Sequence, residues 1–167
     1  VAVTVDYPPV NAIPARGWFD LAGALTDAGR DASTHVVILR AEGRGFNAGV
    51  DIKEMQRTPG FTALIDANRG CFAAFKAVYE CAVPVIAAVN GFCVGGGIGL
   101  GGNADVLVGS EGATFGLPEG GRGALGAKPS PPPRAPPRGA AGGRLGILEA
   151  APEPRQRVAG PDRVPQR

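Results

Sequence analysis

Residues 89–105 read VNGFCVGGGIGLGGNAD, with seven glycines between two apolar runs, PVIAAV and DVLVG. Either this run cradles a phosphate or it exposes backbone N–H groups to something else, and both uses need glycine. Its use is close approach: without Cβ atoms, a backbone can come near a ligand or another chain segment. Gly97, Gly99 and Gly102 satisfy G-x-G-x-x-G. In a dinucleotide-binding unit, however, the first glycine closes a strand and a full crossover helix follows the last. Here residues 90–96 separate the strand end from Gly97, and only Asn103 and Ala104 precede the next apolar run. The spacing leaves no room for that helix. The alternative is a short helix opening near Gly96, whose first N–H groups lack intrahelical acceptors and point into a cleft. Donors of this kind stabilise an oxygen that becomes negative during a reaction.

The surrounding pattern is that of an α/β core. VAVTV at the N-terminus reads as a strand stopped by Pro8 and Pro9, and the chain opens without Met, as if entered in mid-strand. Trp18, Leu21, Ala22 and Leu25 recur at helical spacing up to Gly29, and a short strand follows at 36–40. Phe61, Ile65, Phe72, Phe75 and Tyr79 mark the expected core face of a long helix ended by Pro84. Strands at 85–89 and 105–109 complete an alternation that implies parallel pairing. A second irregular glycine turn, GRGFNAGVDIKEM at 43–55, follows the strand at 36–40 and so lies at a strand's carboxyl end, where α/β folds bind ligands.

Charge divides the chain. Residues 1–119 carry eight Lys and Arg against twelve Asp and Glu, whereas residues 120–167 carry nine against three. The basic pI therefore belongs to the C-terminal segment, which argues against nucleic acid as a partner of the folded part. From Lys128 onward the sequence is rich in Pro, Arg, Gly and Ala, has no aromatic residue and shows no period, the composition of a disordered segment. The domain division is thus a core at 1–127 and a tail at 128–167. Cys71, Cys81 and Cys93 lie in apolar contexts without metal-ligand or disulfide spacing, consistent with free thiols in a reducing compartment. No signal pattern or membrane-length apolar run occurs, so a cytoplasmic location and no membrane partner are expected. His35, the single histidine, has no acidic or nucleophilic neighbour that would suggest a triad or metal site. Asn47 and Asn90 read as turn residues.

FNAGVDIKEM, VPVIAAVNGFCVGGGIGL and ATFGLPE follow one another in an order and spacing that resemble the crotonase superfamily of acyl-coenzyme A enzymes. The resemblance covers residue 1 to about residue 127 and is nearest to actinobacterial members that open a ring in a steroid-derived acyl-CoA. It implies a spiral of ββα units, incomplete here at the C-terminus, acting on a thioester with no separate cofactor, no metal and, in intact members, a homo-oligomeric assembly. Carried over by motif, the N–H groups of Val50 and Gly96 form an oxyanion hole, and Glu119 and Asp51 are the candidate acid/base carboxylates. Ala12, Ala48, Gly49, Ile52, Gly95 and Pro118 line the substrate channel. Asp51 has an equally strong structural reading as a residue fixing its turn.

One departure stands out. Two-glutamate hydratases of the family carry a carboxylate where this chain has Gly99, so hydration lacks one of its two groups. The glycine implies free space for a bulky acyl group or an attacking water. Ring-opening hydrolysis is the expected reaction. The alternatives are hydration or isomerisation of an enoyl-CoA, and an inactive acyl-CoA binder. The resemblance also suggests an origin for the tail: the expected helical continuation stops near Ala127, as an out-of-frame reading of GC-rich DNA would produce, the other reading being a natural Pro/Arg-rich tail.

Overall fold

A computed structural model describes residues 1–58, 60–118 and, as backbone, 155–159. The elements in chain order are β1 (Ala2–Asp6), α1 (Ala15–Arg30), β2 (Val37–Ala41), α2 (Ile52–Arg57) and α3 (Thr62–Tyr79). They continue with β3 (Val85–Val89), β4 (Phe92–Val94), α4 (Gly96–Gly102), β5 (Val106–Gly109), β6 (Thr114–Gly116) and β7 (Arg155–Ala159). Five strands form a sheet in the order β5-β3-β2-β1-β7, and every neighbouring pair is parallel. The strands β4 and β6 form a separate parallel pair. This is the α/β class expected from the alternation of strands and helices.

The register follows from apolar alternation. Val37, Leu39 and Ala41 of β2 and Val85, Ala87 and Val89 of β3 are buried, while the residues between them are partly exposed. Period-two burial of this kind commits one face of the sheet to the core. Trp18, Leu21, Leu25 and Ala28 bring the matching stripe of α1 into the same cluster. Pro14 offers α1 no side-chain cap, but the Glu54 carboxylate of α2 accepts the Ala15 N–H at 2.8 Å. A carboxylate at a helix start satisfies an orphan donor and complements the helix dipole. It also ties α2 to α1.

The buried face of α3 differs from the one expected. Ala63, Ala67, Gly70, Ala74 and Val78 are buried, whereas Phe61 is 77 % exposed and Phe72 is 66 % exposed. The helix packs along α1 with its small residues because the approach is close: a Cβ on Gly70 would sit 2.8 Å from the Trp18 Cβ and 3.0 Å from the Ala15 carbonyl oxygen. Large aromatic residues cannot occupy such a seam. Only Phe75 of the expected aromatic set joins the core margin, meeting Trp18 edge to face at 5.8 Å.

Within the C-terminal segment, residues 155–159 form β7, which lies beside β1 in parallel pairing from Ala2↔Arg155 to Asp6↔Ala159. A short run with backbone groups free to pair can complete a sheet edge even where its composition forecasts irregularity. The remainder of that segment lies outside the described residues.

Candidate active site: two backbone donors held by three loops

Three segments meet at the carboxyl ends of the parallel strands. The first is the turn after β1, where Asn11 adopts φ 53°. Its side chain holds the turn closed, accepting from Tyr7 N–H at 2.7 Å and donating to the Glu42 and Gly45 carbonyls at 2.7 and 2.8 Å. The second is the turn at 45–51, and the third is β4 with the start of α4. Phe46 N–H donates to the Asn90 and Phe92 carbonyls at 2.9 Å, and Val94 N–H donates to the Asn47 carbonyl at the same distance.

The second segment is tied to the first at Ile13, whose N–H donates to the Gly49 carbonyl at 2.9 Å and whose carbonyl accepts from Asp51 N–H at 3.0 Å. These two bonds bracket Val50 as a parallel bridge to Ile13. Successive N–H groups of an extended segment face opposite sides, so the Val50 N–H is turned away from Ile13. It has no acceptor among the described residues, and neither has the Gly96 N–H.

The turns that bear these two groups touch. A Cβ on Gly49 would lie 3.3 Å from the Gly96 nitrogen, and a Cβ on Gly96 would lie 3.5 Å from the Gly49 Cα. Gly49 also needs its φ of 86°, a conformation that side chains rarely adopt. The glycines of the run serve contact between segments: a Cβ on Gly96 would meet the Trp18 indole at 2.7 Å, and one on Gly97 would meet Asn47 at 3.0 Å. Gly97, Gly99 and Gly102 all lie inside α4, so no glycine loop precedes a helix as a pyrophosphate cradle requires.

The space inferred at Gly99 is not open. A Cβ there would overlap the Phe75 ring, at 2.6 Å from Cε2, so an aromatic side chain from α3 fills the volume that a larger residue would take. Asp51 is the N-cap of α2, its Oδ1 accepting from Lys53 N–H at 2.9 Å and Glu54 N–H at 3.2 Å. Capping of this kind stabilises a helix start by about 1 kcal/mol. Ala12, Ala48 and Gly49 lie on the converging turns, Ile52 is exposed at the start of α2, and Gly95 precedes α4 with φ 55°. Gly95 N–H donates to the Gly116 carbonyl at 3.2 Å, which brings the end of β6 beside the residue that precedes Gly96. Pro118 is exposed there, and Glu119 lies outside the described residues.

The remaining reactive groups do not join the site. Burial pushes the Cys93 thiol up to about 11 and the half-buried Cys71 thiol up to about 12, so both stay protonated near neutral pH. His35 is exposed and its Nδ1 lies 3.0 Å from the Ser33 carbonyl. Among the described residues no cluster of three metal-ligating side chains occurs, and no helix is long and apolar enough to cross a membrane. Sequence reasoning missed Asn47 as more than a turn residue and missed Phe75 as the neighbour of Gly99. Their sequence signals, an Asn in a glycine turn and a Phe in a helix, do not distinguish these roles from ordinary ones.

The enoyl-CoA hydratase/isomerase family profile matches residues 1–128. The chain is 84 % identical over 127 residues to a (7aS)-7a-methyl-1,5-dioxo-2,3,5,6,7,7a-hexahydro-1H-indene-carboxyl-CoA hydrolase of Mycobacterium tuberculosis, covering 76 % of this chain and 51 % of that one. It is 37 % identical over 118 residues to a carnitinyl-CoA dehydratase of Salmonella enteritidis, covering 70 % and 44 %. The crystal structure of an enoyl-CoA hydratase/carnitine racemase from Magnetospirillum magneticum superposes with a TM-score of 0.68 at 33 % identity, covering 75 % of this chain and 48 % of that one. The chain thus spans about half the length of the named relatives it matches. With its parallel sheet, its three ordered motifs and the paired turns at Gly49 and Gly96, it belongs to the enoyl-CoA hydratase/isomerase family.

Proposed function

We propose that this chain carries the thioester-activating half of an acyl-CoA ring-opening hydrolase. The observation that carries the reading is the contact between the turns at Gly49 and Gly96, which bear two backbone N–H groups, on Val50 and Gly96, that have no acceptor among the described residues. A thioester carbonyl placed between them would accept two hydrogen bonds that strengthen as its oxygen gains charge. Each such donor contributes about 3–4 kcal/mol when the oxyanion forms.

In the proposed reaction water adds to a ring ketone positioned β to the thioester, and the ring C–C bond breaks. The ketone carbon becomes a carboxylic acid, the electron pair passes to the thioester as its enolate, and a proton then returns to the α-carbon. Val50 and Gly96 hold the enolate oxygen. Glu119 takes a proton from water and delivers one to carbon, while Ala12 and residues 48–52 guide the coenzyme A portion. Asp51 serves as the cap that fixes the second turn. Filling of the Gly99 volume by Phe75 favours ring opening over hydration, because no second carboxylate occupies that position. The likeness to a ring-opening CoA hydrolase supports the same choice.

Calorimetric titration with three ligands tests the reading: an acyl-CoA, its thioether analogue lacking the carbonyl oxygen, and NAD. The acyl-CoA should bind, the thioether should bind about tenfold more weakly for loss of the shared hydrogen bonds, and NAD should give no heat. Equal affinities for thioester and thioether would remove the donors from the mechanism.

A further inference from the structure

We infer that Asn47 is the positioning residue that sets the separation of the two donors, an assignment that rests on the oxyanion reading above. Asn47 is fully buried, and an amide in such a place must have its polar atoms paired. Its partners are spread over three segments. Nδ2 donates to the Asn11 carbonyl at 2.6 Å, and Oδ1 accepts the Gly49 N–H at 2.8 Å. On the main chain, its N–H donates to the Phe92 carbonyl at 3.4 Å and its carbonyl accepts from Val94 N–H at 2.9 Å.

One residue therefore grips both routes to the donors. Through its side chain it holds Gly49, whose carbonyl is bonded in turn to Ile13, and so orients the peptide that bears the Val50 N–H. Through its backbone it holds Val94, two residues before Gly96, and its Cβ and carbonyl form the surface against which Gly97 of α4 packs. A shift of either turn by a fraction of an ångström spoils a geometry that both donors must share. The Asn11 carbonyl keeps a second donor, Ala48 N–H at 3.3 Å, if the amide is removed. The Gly49 N–H keeps none, so the second turn is the part released.

The test uses the ratio of thioether to thioester dissociation constants, because this ratio reports the carbonyl donors and cancels general losses of binding. In the full chain, Asn47→Ala should lower the ratio from about ten toward one, with circular dichroism showing the fold retained. Asn47→Ser can still accept the N–H two residues on, as serine does in turns, and should restore most of the ratio. Infrared spectra of a bound carbonyl-labelled acyl-CoA should show its stretching frequency lowered in the parent and the serine variant and returned toward the free value in the alanine variant. An unchanged ratio and frequency in Asn47→Ala overturns the assignment while leaving the donors intact. A parent chain that fails to bind, or that does not distinguish the two ligands, overturns the oxyanion reading and this assignment together. Failure of both variants to fold also overturns it, since Asn47 would then serve the core as a whole.

Discussion

Phe75 and Gly99 occupy one volume between them, and that pairing shapes what the site can do. The ring sits where a side chain on α4 would have to go, and it is held there edge to face against the buried Trp18. Gly99→Ala should therefore destabilise the chain by about 1–3 kcal/mol through overpacking, although alanine is the better helix former. Removing the ring relieves the conflict: the double variant Gly99→Ala with Phe75→Ala should lose at least about 0.5 kcal/mol less than the sum of the single variants. Urea unfolding of the four proteins measures this coupling, and strict additivity would mean that α3 shifts to admit the methyl group. The absence of a carboxylate at Gly99 was legible in the sequence. Its filled volume was not, because the filler comes from another helix and no local pattern joins the two.

At the scale of single elements, periodicity located the longer pieces well and said little about the short ones. The strands β1, β2 and β3 and the helix α3 all stand within a residue of the apolar runs that announced them, and α1 begins three residues ahead of its run. The helix α2 has six residues and β4 and β6 have three each, too few for a period to show. The site depends on these pieces, since β4 and β6 carry Gly95 and Gly116 to each other and Asp51 opens α2. The motif order brought Val50 and Gly96 forward as partners, but their adjacency depends on the Ile13 bridge and the Asn47 bonds, which span distant parts of the chain. The helix α3 gives the opposite lesson: its aromatic stripe looked like the core face, yet the close seam with α1 selects residues by size. Ala74→Leu, at a fully buried position, should cost about 1–3 kcal/mol, whereas Phe72→Ser should stay within about 0.5 kcal/mol. Thermal unfolding of the two variants checks the orientation, and the reverse ranking would restore the aromatic face to the core.

Across the whole molecule, the described sheet has one flank that its packing does not finish. Val106, Leu107 and Val108 of β5 are each more than 40 % exposed, and neighbouring strand residues face opposite sides, so both faces of this outer strand meet solvent. Phe115 and Leu117 continue the apolar area at 50 % and 49 % exposure. Apolar surface on an outer strand drives association. The full chain should show concentration-dependent self-association by sedimentation velocity, and Val106→Lys combined with Val108→Lys should reduce it without loss of helical circular dichroism. Association unchanged by the two lysines would locate the contact elsewhere. The interior of the fold holds a different resource. Trp18 is the single tryptophan of the chain, is shielded from water, and donates its indole N–H to the Ile13 carbonyl at 3.0 Å. The same ring borders Gly96, and Ile13 is bonded to the turn that bears Val50. The molecule thus has a native fluorophore in contact with both turns, and filling of the proposed site by an acyl-CoA should shift the colour or polarisation of its emission, with no label added.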